Sequence, residues 1–228
     1  MFNRITFRFR GLFVALLTIW AIGPFLRQGR LGANVLLVIL TIVFLAALNA
    51  VSDRRRTPVL GLILTVPAIL GIWMTQLGSE TASVLALGLV FATLFLAFVV
   101  VKIVGYVLRS QEVTSEVLFG ALCAYLLIGL FFALLFSTVE IWQPGSLNLP
   151  TAGGGPALAD ATQFSVITYF SYVTLTTLGF GDIAPQTPIA RSLVTLEALT
   201  GQLFLAVLIA RIVALHIMHQ DPQEGTEE

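Results

Sequence analysis

Residues 176–182 read Thr-Thr-Leu-Gly-Phe-Gly-Asp and lie between two long apolar segments. Glycine adopts backbone angles that are closed to residues with a Cβ atom, so two glycines at this spacing let consecutive carbonyl groups point in one direction. Rings of such carbonyl oxygens can replace the hydration shell of a potassium ion. The segment therefore predicts an ion-selectivity filter, and the elements around it must be able to hold one inside a membrane.

The composition indicates a membrane protein. Of the 228 residues, 57% are hydrophobic and 11% are charged, and the mean hydropathy is +0.97. A soluble domain carries about 25% charged residues. The formal net charge is zero, which argues against a nucleic acid partner. Cys123 is the one cysteine, so the chain has no disulfide framework, and we expect this thiol to be a small buried apolar group.

The apolar segments predict an all-α membrane protein with six transmembrane helices. A helix needs about 20 apolar residues to cross the hydrocarbon core of a bilayer. The segments that meet this length are residues 11–27, 32–51, 58–77, 82–108, 116–139 and 188–217. The first resembles a signal peptide in its basic flank, but no small-residue cleavage site follows it, and we interpret it as retained.

The basic residues orient these spans. With the N-terminus inside, nine of the twelve Lys and Arg residues lie on the inner side, and only Arg27, Arg30 and Arg191 lie outside. Because cytoplasmic loops are enriched in Lys and Arg, both termini are predicted to be cytoplasmic. Residues 140–187 then face outward, on the side from which a filter is entered.

Between the fifth and sixth spans, the order of elements suits a re-entrant pore loop. A Gly- and Pro-rich loop is followed by an apolar stretch from Gln163 to Thr174 that is too short to span a bilayer. As a half-helix, this stretch would direct its partly negative C-terminal end at the centre of a pore and favour a cation there. The extended filter that follows is tolerable at membrane depth only where protein encloses it.

The residues from Tyr169 to Asp182 resemble the pore signature of potassium channels, and the resemblance extends over residues 116–217. It implies that K⁺ is bound by the filter residues and that neighbouring residues support the filter and the outer mouth. The implied ion-binding residues are Thr177, Leu178, Gly179, Phe180 and Gly181, with the Thr177 hydroxyl innermost, and the implied supporting residues are Thr176 and Asp182. No other cofactor is implied.

The filter departs from the commonest version of this signature at two positions. Leu178 and Phe180 stand where that version has Val and Tyr, so Phe180 has no hydroxyl to brace the filter. Val173 likewise offers no carboxylate to pair with Asp182, a pairing that some members use. One chain holds one pore loop whereas a filter needs fourfold rings, so a homotetramer, or a mixed tetramer with close relatives, is expected.

The first four spans resemble a voltage-sensing domain in position but not in chemistry. Voltage sensing requires several charges within the membrane field. The fourth span contains only Lys102, and Arg109 follows at its inner end. We therefore predict a four-helix domain at 1–115 without gating charges, a pore domain at 116–217 and a short acidic cytoplasmic tail at 218–228.

Five residues of the sixth span are candidates for gating. Gly201 lies where related channels often carry a hinge glycine, and Glu197 lies one turn earlier, where a carboxyl group is costly in a membrane. Glu197 is interpreted either as a proton-sensitive gating group or as a protonated or hydrogen-bonded carboxyl group that braces the pore helix behind the filter. Leu205, Ile209 and Val213 recur every four residues and either narrow the pore or pack between helices.

The function predicted is a potassium-selective channel that conducts K⁺ passively across a cell membrane, with a bacterial inner membrane suggested by the resemblance. An auxiliary, non-conducting subunit of related channels is the alternative. An enzyme is disfavoured because the spans contain no paired carboxylates or metal-spaced His and Cys. A secondary transporter is disfavoured because residues 1–115 and 116–228 do not repeat one another.

Overall fold

The computed structural model describes residues 8–25, 30–52, 57–74, 82–149 and 161–220. In these ranges the regular structure is helical apart from one isolated β-bridge between Leu147 and Pro185, which confirms the predicted all-α class. A short 3₁₀ turn, Gly23–Phe25, follows the first helix. The α-helices are α1 Arg8–Ile22, α2 Arg30–Val51, α3 Thr57–Met74, α4 Ala82–Arg109, α5 Ser115–Trp142, α6 Ala161–Leu175 and α7 Pro188–Gln220.

Four of these helices are long and apolar enough to cross a membrane. They comprise Leu31–Val51 of α2, Ser83–Arg109 of α4, Ser115–Trp142 of α5 and Pro188–Leu215 of α7. In α1 and α3 the apolar helices Phe9–Ile22 and Val59–Met74 are shorter. At about 1.5 Å of rise per residue, neither of these two covers a hydrocarbon core of about 30 Å. Six helices thus lie where six spans were predicted, but the count of six spans stays a prediction.

Several predicted features lie outside the described residues. They are Arg4, Arg27 and Arg54–Arg56, which helped to orient the chain, residues 150–160 of the outer loop, and residues 221–228 of the acidic tail. The first three residues of the predicted tail are helical, because α7 continues to Gln220. The predicted domain boundaries also stay predictions.

The buried side chains form two adjoining hydrophobic clusters. The first contains side chains from all of the helices α1, α2, α3, α4 and α5, together with Phe164 of α6. The second joins α5, α6 and α7 to Leu147 and Ile183 in the segments that flank the pore loop. Helices α3 and α4 approach closely where Gly71 faces Gly88, since a Cβ atom on Gly71 would lie 2.5 Å from the Gly88 Cα. Cys123 is buried as predicted, and its thiol donates to the Phe9 carbonyl at 3.3 Å, which ties α5 to α1.

A short connection joins the first four helices to α5. Residues 110–114 link α4 to α5, and Thr114 caps α5 by accepting a hydrogen bond from the Val117 amide at 3.4 Å. The Arg211 guanidinium in the C-terminal part of α7 donates to the Ser110 carbonyl. The connection between α4 and α5 is therefore in contact with the pore-domain helix that follows the filter.

Candidate functional site

The predicted pore helix is α6, a buried half-helix between α5 and α7. Its 15 residues rise about 22 Å, which is too short to cross a bilayer. Phe164, Ile167 and Leu175 are buried on its packed side. The backbone amides of Thr176 and Leu178 donate to carbonyls in the last turn, to Tyr172 at 3.0 Å and to Val173 at 2.9 Å. The filter therefore begins directly at the C-terminal end of α6.

Along residues 177–181, the backbone dihedral angle φ alternates between positive and negative values. Thr177, Gly179 and Gly181 have φ values of 59°, 57° and 79°, and the two residues between them have negative φ. An alternation of this kind is compatible with successive carbonyl groups on the same side of the chain, as a carbonyl-lined filter requires. Glycine adopts positive φ without strain, but for β-branched Thr177 it costs about 1–3 kcal/mol. The sequence alone did not indicate this strain at Thr177, and strained backbone of this kind clusters at functional sites.

The Thr177 hydroxyl has a partner on α7. Gln202 Nε2 donates to Thr177 Oγ1 at 3.2 Å. This contact joins residues 25 positions apart and was not predicted. The polar side chain of Gln202 in a largely apolar helix was the signal in the sequence that could have indicated a buried or pore-facing partner for this residue. Gln202 is exposed in the isolated chain, and Leu205, Ile209 and Val213 follow it on the same face of α7, three, seven and eleven residues later.

Asp182, at the outer end of the filter, is held by the pore helix. Tyr169 Oη donates to Asp182 Oδ2 at 2.9 Å. The absence of a carboxylate at position 173 thus does not leave Asp182 without a partner on α6. The hydrogen bond to Asp182 raises the pKa of the Tyr169 phenol above its ordinary value of 10.0. Sequence reasoning missed this pair because it examined position 173 and not the turn before it.

The outer mouth is tied together by hydrogen bonds between the two segments that flank α6. Glu140 accepts from the Gly145 and Leu147 amides at 2.7 and 3.1 Å, which closes the turn after α5. The segment after the filter pairs with this turn, since the backbone amide of Asn148 donates to the backbone carbonyl of Ala184 at 3.1 Å. Glu140 therefore stabilises the turn that follows α5.

Glu197 lies behind the filter and is fully buried. Its side chain has no exposed surface, and Ser171 Oγ lies 2.5 Å from Glu197 Oε1. The same hydroxyl lies 2.7 Å from the Gly129 carbonyl oxygen of α5. Of the two interpretations offered for Glu197, this contact supports the one in which the carboxyl group braces the pore helix.

Gly201 packs against the end of the pore helix. A Cβ atom at this position would lie 2.3 Å from the Leu175 carbonyl oxygen and 3.0 Å from Leu175 Cδ1. The geometry thus gives Gly201 a packing role that the hinge interpretation did not consider. Together, Glu197, Gly201 and Gln202 bring α7 into contact with α6 and with the inner end of the filter.

Comparisons with known proteins agree with this geometry. Residues 112–216, from the connection before α5 to near the end of α7, match the family described as "Ion channel". The match includes α5, α6, residues 176–182 and most of α7. A 52-residue segment, 23% of the chain, is 46% identical to "Inward rectifier potassium channel Kirbac3.1" of Paramagnetospirillum magnetotacticum. No solved structure matches the chain.

These matches bear out the predicted resemblance to the potassium channel family over the pore region, whereas the six-span type without a charged fourth helix stays a prediction. The segment shared with the Paramagnetospirillum magnetotacticum protein covers 18% of that protein's length. The likeness therefore concerns the pore region and not the whole of either chain. The family match and the apolar helices together show that the chain is a membrane protein with an ion-channel domain.

Proposed function

We propose that this protein is a potassium-selective channel that conducts K⁺ passively across a cell membrane. The observation that supports it most directly is the alternating backbone of residues 177–181 at the C-terminal end of a half-helix. In that backbone the carbonyls of Thr177, Leu178, Gly179 and Phe180 bind K⁺, and Gly181 completes the segment. Thr176 and Asp182 support it on either side. The similarity to an inward rectifier potassium channel is in keeping with potassium as the ion.

We further propose that four copies of the chain surround one central pore. A single chain contributes one pore loop, and closed carbonyl rings require several. Leu178 and Phe180 are 61% and 66% exposed in the isolated chain. In the apolar part of α7, Pro188–Leu215, almost none of the residues of the most apolar stretch are buried. Apolar side chains of this size gain about 1.5–3 kcal/mol each on burial. Neighbouring subunits of a homotetramer would cover these surfaces.

The channel is proposed to lack gating by a charged fourth helix. In the described part of α4, Lys102 is the basic residue within the span and Arg109 lies at its last position. The Lys102 ammonium lies 5.7 Å from the Phe98 ring centroid, on an exposed surface. One charge per subunit supplies about 2.3 kcal/mol per 100 mV if it crosses the whole field, so the voltage dependence would be shallow. The first four helices then serve as a scaffold, with both termini cytoplasmic in a bacterial inner membrane.

The gate is proposed to involve α7. Leu205, Ile209 and Val213 share the face of α7 that carries Gln202, the partner of Thr177. A ring of such side chains below the filter would close the pore by excluding water. Glu197 and Gly201 act on the same helix through their contacts with α6.

The test is ion flux into liposomes that contain the purified protein, driven by potassium and then by sodium gradients. Gly179→Ala places a Cβ atom where φ is +57°, which costs about 1–2 kcal/mol and distorts the filter. Gly145→Ala is the matched control, because Gly145 also has positive φ, at +83°, and open space around it, but lies outside the filter. We expect potassium-selective flux in the wild type and in Gly145→Ala, and its loss in Gly179→Ala.

The outcomes separate the two functions predicted from the sequence. Equal flux of potassium and sodium would refute selectivity. Equal flux in the two glycine variants would refute the assignment of residues 177–181 as the filter. The absence of flux from a folded wild-type tetramer at every voltage and pH would favour an auxiliary subunit.

A further inference from the structure

The number of protons available for hydrogen bonds around Ser171 indicates whether the Glu197 carboxyl group is protonated. Ser171 Oγ contacts two acceptors, Glu197 Oε1 at 2.5 Å and the Gly129 carbonyl oxygen at 2.7 Å. A hydroxyl group has one proton to donate. Both contacts are hydrogen bonds only if one of the two oxygens that face Ser171 brings a proton of its own. A backbone carbonyl cannot do so, whereas a carboxyl group can.

The other oxygen of Glu197 leads to the same conclusion. Glu197 Oε2 is buried and has no hydrogen-bond partner among the described residues. The two nearby phenols are engaged elsewhere, since Tyr172 Oη donates to the Leu126 carbonyl and Tyr125 Oη lies 3.5 Å from the Leu175 carbonyl. An unpartnered carbonyl oxygen of a neutral acid is tolerated in a buried site far better than an unpartnered charged oxygen.

We propose that Glu197 is a neutral carboxylic acid that donates its proton to Ser171 Oγ, while Ser171 donates to the Gly129 carbonyl. The resulting relay joins α7, α6 and α5 in sequence. Ser171 lies four residues before Leu175, the last residue of α6, so the relay fixes the half-helix on which the filter stands. Glu197 is thus a positioning residue, and its effect on ion flux rests on the proposed channel function.

Infrared spectroscopy tests the relay without any ion flux. The difference spectrum between the wild type and Glu197→Gln at neutral pH should contain the carbonyl stretch of a neutral carboxylic acid that is lost in the variant. In Ser171→Ala the acid loses its acceptor, so this band should remain and shift to higher frequency. A carboxylate band in place of the acid band would overturn the proposal, as would an acid band that Ser171→Ala leaves unmoved.

Flux and thermal denaturation provide a second test. The side-chain amide that Glu197→Gln introduces can still donate to Ser171, so this variant should retain flux and melting temperature within about twofold and a few degrees of the wild type.

Glu197→Ala and Ser171→Ala each break the relay and should lower flux about tenfold, and the double variant should be no worse than the poorer single variant. Ser137→Ala is the matched control, since Ser137 is a buried serine of α5 that donates within its own helix, to the Ala133 carbonyl at 2.8 Å. A Glu197→Gln variant as impaired as Glu197→Ala would refute the relay. A wild type without flux would refute the channel function and leave the infrared and thermal tests of the relay intact.

Discussion

Gly201→Ala distinguishes between close packing and hinge bending at the same residue. In the structure a Cβ atom at position 201 would lie 2.3 Å from the Leu175 carbonyl oxygen, whereas ordinary contacts begin near 3.4 Å. Helix α7 and the end of α6 must therefore separate by about 1.1 Å. The nearest atom belongs to the backbone, so a side-chain rotation cannot relieve the contact. If Gly201 is only a hinge, alanine fits and restricts bending alone.

The expected magnitude follows from two opposing effects. Overpacking a well-packed core costs about 1–3 kcal/mol, and a backbone contact this short belongs to the upper half of that range. Replacement of glycine by alanine within a helix gains about 1 kcal/mol. The net loss is about 1–2 kcal/mol per subunit, which for a chain of this size lowers the melting temperature by about 2–8 °C. Because Leu175 directly precedes the filter, flux should also decrease.

The assay compares Gly201→Ala with Gly11→Ala by thermal denaturation and liposome flux. Gly11 lies within α1, and a Cβ atom added to it would have no neighbour within 4 Å, so its replacement should leave the protein equally or more stable. A melting temperature of Gly201→Ala that equals or exceeds that of Gly11→Ala would refute the packing argument. Altered gating without loss of stability would then favour the hinge.

Three further predictions concern the outer mouth and the inner end of α7. Tyr169→Phe removes the donor to Asp182 and should shorten conducting periods in single-channel recordings. Because this bond raises the pKa of Tyr169, wild-type flux should persist to pH values above 10 and fall as the phenol ionises, whereas the Phe variant should show no such transition. Glu140→Gln leaves one of two backbone amides without an acceptor and should lower the melting temperature by a few degrees, with potassium selectivity unchanged. Arg211→Gln removes the guanidinium contact with the Ser110 carbonyl and should change the open probability without changing selectivity; unchanged gating would contradict a role for this contact.

The helices could be predicted from sequence because their signals are local. Apolar length and polar breaks placed α2, α4 and α5 within about three residues of their observed bounds. The pore helix, predicted over 163–174, covers Ala161–Leu175. The bounds of α1 were less accurate, since this helix ends at Ile22 and the predicted span ran to residue 27, whereas the predicted end of the third span lies outside the described residues. Gly23 and Pro24 end α1, a break that a hydropathy count passes over.

The contacts that support the filter could not be predicted, because they depend on how helices pack. Tyr169 and Asp182 are 13 residues apart, and Gln202 and Thr177 are 25 residues apart. No local pattern fixes which face of α7 lies against α6. The composition of the filter was informative about its glycines but not about Thr177, whose positive φ is imposed by the surrounding structure.

The contacts of α7 constrain how a gate on this helix could work. Within six residues, Glu197 meets Ser171, Gly201 meets Leu175, and Gln202 meets Thr177. A motion of α7 that pivots at Gly201 or at a residue before it in the chain would break at least one of these contacts and disturb the filter. A motion that begins below Gln202 would displace Leu205, Ile209 and Val213 and leave the filter intact. We therefore infer that the apolar stripe and the filter can gate independently only if α7 bends below Gln202, and that otherwise they open and close as one unit.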